Sequence, residues 1–266
     1  MIQQERLIVP HNMTSSFALA SIREYLYLLR ESGLEGIPTD SPDKMANMLK
    51  RIPDEAAFPE YAPSSTTTDH LESLETIRKD LGDCQRCDLA KKRKNLVFGV
   101  GNPYARLVFV GEGPGADEDA QGEPFVGEAG RLLNRLVMAM GLQREEVYIC
   151  NVIKCRPPGN RDPNALEIEA CSPFMLRQIR AIGPDVIVGL GKFAVQTLLQ
   201  TKVPITKLRG IFRAFYGIPL MPTLHPSYLL RRRQEGDMDS FWRVWDDMTQ
   251  VLQLLKLPIP EKIRKK

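Results

Sequence analysis

Residues 147–161 read VYICNVIKCRPPGNR. The apolar run Val147-Tyr148-Ile149 has strand character, and Pro157-Pro158-Gly159 stops any regular element. Between them stand a polar amide, Asn151, and a thiol, Cys155. A strand therefore gives way to a loop at two residues able to engage something. In an open α/β sheet the edge beyond the carboxyl ends of the strands is where ligands bind. An amide side chain donates and accepts at once, which suits the edge of a nucleobase. Cys155 needs partners, and the chain supplies Cys84, Cys87 and Cys171, while Cys150 inside the strand reads as a small buried apolar residue.

On either side of this stretch, strand and helix signals alternate. Residues 71–82 have helical spacing and lead to Cys84-Gln85-Arg86-Cys87 and a basic run, Lys91 to Lys94, expected to be a solvated face. Leu107 to Val110 is a buried-strand candidate that runs into GEGPG (111–115), the acids Asp117, Glu118 and Asp119, and a second turn-rich patch, GEPFVG (122–127). A helix is expected from Glu128 to Met140, stopped by Gly141. Another is expected from Asp162-Pro163, interrupted or restarted at Ser172-Pro173, and running to about Ile182. Val186 to Leu190 reads as a strand, Phe193 to Leu199 as a helix, Phe212 to Leu220 as a hairpin turning at Gly217, and Ser240 to Leu255 as an amphipathic helix. This alternation predicts an α/β fold, a mostly parallel central sheet with helices on both faces, a three-layer α/β/α sandwich.

The flanks differ in character. Residues 17–34 carry apolar positions at helical spacing, and 36–70 are rich in Pro, Ser, Thr and charge, as in a linker. The expected organisation is an N-terminal helical and linker extension over 1–70, a body over 71–258 and a basic tail over 259–266. With 43% hydrophobic and 26% charged residues, the composition is that of an ordinary globular protein. A net charge of +3 does not by itself call for nucleic acid; that requires a local basic patch. No apolar run approaches a membrane span, and the most apolar N-terminal part contains Arg23 and Glu24, unlike an export signal. A cytoplasmic location is expected, where five cysteines serve as metal ligands or free thiols rather than disulfides.

Cys84 and Cys87 form C-x2-C, and converging thiolates need a cation. Spacing alone leaves zinc and an iron–sulfur cluster both open. GEGPG after a strand is a weak motif, since such loops often hold phosphates or only make a tight turn. The acids that follow argue against phosphates, and the glycines let a flat ligand approach the backbone. Glu112 can position a water or be a loop carboxylate in solvent. Phe125, between Pro124 and Gly127, can cover a core or offer a stacking surface. Tyr228-Leu229-Leu230 before Arg231, Arg232 and Arg233 either pairs an apolar wedge with phosphate-seeking charge or ends a helix on a solvated basic face, and Lys192 at a helix start either meets a phosphate or faces water.

Taken in one order, GEGPGADED, GEPFVGEAGRLL, NVIKCRPPGNRDP and LHPSYLLRR, with C-x2-C before them, resemble the family 4 uracil-DNA glycosylases. The resemblance runs over about Leu71 to Leu255. It implies a uracil-DNA glycosylase-like fold and a DNA-repair enzyme that flips uracil from single- or double-stranded DNA and hydrolyses its N-glycosidic bond. It further implies a structural [4Fe-4S] cluster on Cys84, Cys87, Cys155 and Cys171. Phe125 would stack on the flipped base, Asn151 would read its edge and His225 would approach O2. Gly111, Gly113, Glu112 and Asp117 would lie at the pocket. Leu229, Leu230, Arg231 and Arg232, with Lys192, would meet DNA. A monomer with no membrane association is expected, and the partner of the extension is not implied. Glu123 departs from the basic residue expected before Pro124-Phe125. The alternative is a metal-stapled nucleic-acid-binding module without catalysis, and a redox role for the cluster is a further possibility.

Overall fold

A computed structural model describes residues 72–260. The helix expected over 17–34, the linker over 36–70 and the end of the basic tail, Lys262 to Lys266, lie outside those residues. The frame is a six-stranded sheet in the order β1-β3-β2-β4-β6-β5. Four strands run parallel: β2 (Leu107–Gly111), β3 (Tyr148–Asn151), β4 (Val186–Leu190) and β6 (Ile218–Thr223). The edges are antiparallel: β1 (Val100–Gly101) pairs with β3, and β5 (Arg213–Phe215) pairs with β6 as the expected hairpin, turning at Tyr216 and Gly217, both at positive φ.

Side-chain alternation along the strands splits the interior into two cores. Leu107 and Phe109 of β2 join Ile149, Val186 and Val188 on one face. There they meet Leu133 and Leu136 of α3 (Glu128–Ala139) and Val244 and Met248 of α8 (Asp239–Leu255). Val108 and Val110 face the other way, with Tyr148, Cys150 and Ile187. That face is covered by Met175 and Ile179 of α4 (Ala165–Ile182) and Ala194 of α5 (Gly191–Leu198). The result is the three-layer α/β/α sandwich. A smaller cluster joins α1 (Leu74–Leu81) to α4 through Ile77, Leu81, Phe98 and Phe174.

Several local expectations change. α4 starts two residues later than Asp162-Pro163: Asn164 is its N-cap, accepting from the Glu167 N–H at 2.9 Å. The helix passes unbroken through Pro173. Pro173 and Glu169, the residue whose carbonyl loses its partner, both lie on the exposed face, where water can replace the missing N–H. The acids after GEGPG are helical, as α2 (Ala116–Gln121), and a short α6 (Ile205–Leu208) precedes the hairpin. His225 is the N-cap of a helix, α7 (Pro226–Gln234), with Pro226 at the first position, where its missing N–H costs nothing.

The register decides where the site lies. Gly111 pairs with Asn151, and Leu190 pairs with Thr223. The carboxyl ends of four parallel strands are thus level, and each releases its loop on the same edge.

Candidate active site and metal centre

A cleft of about 600 Å³ opens at that edge. Glu112, Gly113, Phe125, Asn151, Lys192, His225 and Arg231 all line it, so residues from five separate stretches of chain meet there. Gly111 lies directly behind. A β-carbon on Gly111 would overlap the Asn151 Oδ1 and come within 2.6 Å of the Phe125 ring, so only glycine leaves room for both.

Asn151 is 2% exposed, and its Oδ1 has no hydrogen-bond partner. An unpaired buried acceptor is costly and is retained where a ligand supplies the donor. The backbone of Asn151 is held from behind. Lys154, fully buried, donates from Nζ to the Asn151 carbonyl at 2.8 Å and to Gln178 Oε1 at 2.6 Å. Burial pushes the Lys154 ammonium below its ordinary pKa, an effect opposed by the nearby Cys150 and Cys171 sulfurs.

Phe125 is 5% exposed, yet it forms part of the cleft wall, with its ring centroid 5.6 Å from that of His225 and tilted by 35°. Its φ of 54° is left-handed, a conformation that β-carbon sterics disfavour. His225 Nδ1 accepts the Ser227 N–H at 3.2 Å and lies 2.8 Å from Ser227 Oγ. A nitrogen that accepts a backbone N–H carries no proton, so the neutral ring carries its proton on Nε2. Desolvation first, and then the Arg231 charge, push the His225 pKa down to about 4, so the ring is neutral at physiological pH. Glu112 moves the other way: desolvation, and then Asp162, raise its carboxyl to about 7, opposed by Lys192.

Other expected positions fall elsewhere. Asp117 is exposed and lies outside the cleft lining, its carboxylate against Gly127. Leu229 is 5% exposed and packed in the core with Leu132 and Leu136, so it is a packing residue in this conformation rather than a wedge. Leu230 is half-buried beside it. Arg232 is committed to Asp237 at 2.9 Å and to Glu235. The reason is common to all three: α7 is a helix, so Leu229 faces in, while Tyr228 and Arg231 face the cleft. Lys192 lies 3.4 Å from Asp162 and 4.2 Å from the centroid of the Phe193 ring.

Cys84, Cys87, Cys155 and Cys171 line one cavity, and Cys150 does not. All are free thiols. Three of the four sulfurs receive N–H groups: Arg86 Nη1 on Cys84 at 3.5 Å, Arg93 Nη1 on Cys155 at 3.4 Å and the Lys154 backbone N–H on Cys171 at 3.2 Å. Burial raises the Cys155 thiol and pushes Cys171 up to about 11, so these sulfurs need a cation to ionise. Arg93 corrects the expectation for the basic run: its side chain is 5% exposed and turned to the sulfurs and to Asp83, while Lys91, Lys92 and Lys94 face water. Among the described residues, no three His, Cys, Asp or Glu side chains converge tightly enough for a single metal ion.

Sequence reasoning gave no individual role to Glu118, Arg144, Lys154 or Arg93. Only Glu118 carried a signal, standing three residues after Gly115 at capping-box spacing.

The family model of the uracil DNA glycosylase superfamily matches residues 98–249. The fold, the level strand ends and this cleft agree with it: the chain belongs to the uracil-DNA glycosylase superfamily. Within that superfamily, it is 51% identical over 164 residues to a type-4 uracil-DNA glycosylase of Thermotoga maritima, covering 61% of this chain and 85% of that protein. It is 45% identical over 172 residues to a type-4 uracil-DNA glycosylase of Archaeoglobus fulgidus, covering 62% and 86%. Similarity to a type-5 uracil-DNA glycosylase of Pyrobaculum aerophilum is lower, 29% over 146 residues, covering 48% and 64%.

Proposed function

We propose that this chain excises uracil from DNA, hydrolysing the bond between uracil N1 and sugar C1′ and leaving an abasic site. The observation that carries this reading is the orphan Asn151 Oδ1, buried in a cleft that Phe125 and His225 also line. Uracil N3–H would donate to that oxygen, and the Asn151 amide would donate to O4. Cytosine presents an acceptor at N3 and an amino group at position 4, so both bonds would be mismatched. Phe125 offers the flat surface on which the flipped base rests.

Breaking the glycosidic bond sends its electron pair onto uracil and leaves positive charge on the sugar. The neutral His225, donating from Nε2, stabilises the negative charge that grows at O2. Glu112, with a pKa of about 7, orients the water that adds to C1′ and accepts its proton. Tyr228, Arg231 and Lys192 line the approach for the strand. Single- or double-stranded DNA is the expected partner, and the acting unit is a monomer whose catalytic body spans about 71–258.

The four cysteines fit a [4Fe-4S] cluster. They line one cavity and would supply four thiolates to it, with N–H donors on three sulfurs and two guanidiniums nearby to balance negative charge. Such a cluster supplies architecture here: it would pin the loop carrying Cys155, and through Lys154 the Asn151 carbonyl.

The test uses the purified chain and a uracil-containing oligonucleotide, followed by alkali. Strand scission at uracil, and none at cytosine or thymine, is the expected result. Binding without scission at any pH would leave only the binding module. Iron and sulfide near four of each per chain, with a broad visible absorption, are expected for the cluster; bound zinc would refute it.

A further inference from the structure

Glu118 is the third residue of α2. At that position its carboxylate reaches back to the N-cap, with Oε2 accepting the Gly115 N–H at 3.0 Å; this is one half of a capping box, since glycine has no side chain to return the bond. A capping residue would stop there. The other oxygen leaves the helix: Oε1 accepts the N–H groups of Val126 and Gly127, both at 2.9 Å. One carboxylate therefore joins two loops. One carries Glu112 and Gly113, the other carries Phe125. Gly127 is also the N-cap of α3, where the helix dipole favours a negative charge.

Phe125 is held from its other side as well. Arg144 Nη2 donates to the Pro124 carbonyl at 2.5 Å, and its Nη1 reaches Asn134 Oδ1 on α3 at 2.6 Å. A β-carbon on Gly130 would overlap the Phe125 carbonyl, so α3 itself backs the peptide. A left-handed phenylalanine persists only where its surroundings fix it. Here the fixing groups are Arg144 before it and Glu118 after it.

We propose that Glu118, with Arg144 as the second strut, is the positioning residue that sets the Phe125 ring against Asn151 and His225. The role rests on the cleft being a uracil pocket. Glu118 also lines the cleft, but both its carboxylate oxygens are taken up by backbone N–H groups, so the role proposed for it is the placement of the stacking face.

The experiment is a double-mutant cycle under single-turnover conditions, with Glu118→Ala and Phe125→Ala, alone and together. Glu118→Ala should lower the excision rate constant about tenfold to a hundredfold, the scale of a small misplacement at a reacting centre. Its half-saturating DNA concentration should stay within about twofold, because the groups that meet phosphate are untouched. In the Phe125→Ala background the same change should have little further effect, since the ring it positions is gone. Glu118→Gln, which keeps one acceptor oxygen, should restore part of the rate. A wild-type rate in Glu118→Ala would overturn the proposal, as would an equal factor of loss with and without Phe125. If Glu118→Ala does not fold, Arg144→Met takes its place in the cycle with the same expectations. Absence of excision by the unmutated protein would overturn the function itself, whereas normal excision with an additive cycle would overturn only the positioning role.

Discussion

In the proposed reading, Asn151 would recognise a base through an oxygen that the fold leaves without a partner. Its side chain is buried, its own carbonyl is tied to Lys154, and Oδ1 waits for a donor. Asn151→Ala should reduce uracil excision by about a hundredfold or more, the scale of losing a polar recognition pair. Affinity for duplex without uracil should be unchanged in a filter or anisotropy assay. Equal loss of both would mean that Asn151 shapes the fold and not the specificity. Glu112 gives a prediction in pH. Its carboxyl titrates near 7, so the single-turnover rate should climb as pH rises through that value, and Glu112→Gln should be slower and flat there. Stability has the opposite sign. A carboxyl raised from 4.5 to about 7 by folding holds its proton more tightly in the native state. That contribution is complete below the unfolded value and is lost as pH rises through the folded value. Glu112→Gln should therefore raise the thermal midpoint at pH 8 and leave it unaffected at pH 4. The sequence singled out Asn151, His225 and the four cysteines, and the structure brings the first two to one cleft and the four thiols to one cavity. The reach of Glu118 and the inward turn of Arg93 were not legible in it, because a single helix or basic run does not say what lies across from it.

At the scale of elements, α7 shows how a change of period rearranges a motif. Taken as a loop, HPSYLLRR offers both leucines and all its arginines to DNA. As a helix started by Pro226, it buries Leu229, half-buries Leu230, ties Arg232 to Asp237 and leaves Tyr228 and Arg231 at the cleft. The double variant Lys192→Ala/Arg231→Ala should weaken duplex binding. It should also flatten the plot of log affinity against log salt by about 0.9 for each phosphate left without its cation. Arg232→Ala should leave that slope unchanged and instead reduce stability slightly. A slope that responds to Arg232 alone would reverse the assignment. Strand ends marked by Gly were visible in the sequence, whereas Pro163 placed the start of α4 two residues early and the Pro226 start of α7 went unread. Which face of α7 met α3 was not visible, since the first turn of a short helix carries too few apolar positions to fix its phase.

Across the whole molecule, the cysteine centre joins elements that the sheet does not. Cys84 and Cys87 follow α1, Cys155 follows β3 and Cys171 lies within α4. Cys155→Ser should abolish the visible chromophore and lower the thermal midpoint by about 10 °C or more, because a missing metal ligand removes folding energy. Retention of full iron and midpoint would show that Cys155 is not a ligand. The sequence by itself determined the class of the sheet, through buried apolar runs ending in glycine or polar residues, and the set of chemical groups available, through spacing and order along the chain. Only the tertiary structure decided which of those groups meet. Register levels Gly111 with Asn151 and Leu190 with Thr223, and so brings loops far apart in sequence to one edge. Packing across the sheet then chooses which side chains point into the cleft and which are spent on the core. That choice depends on how distant segments pack together, and no local pattern encodes it.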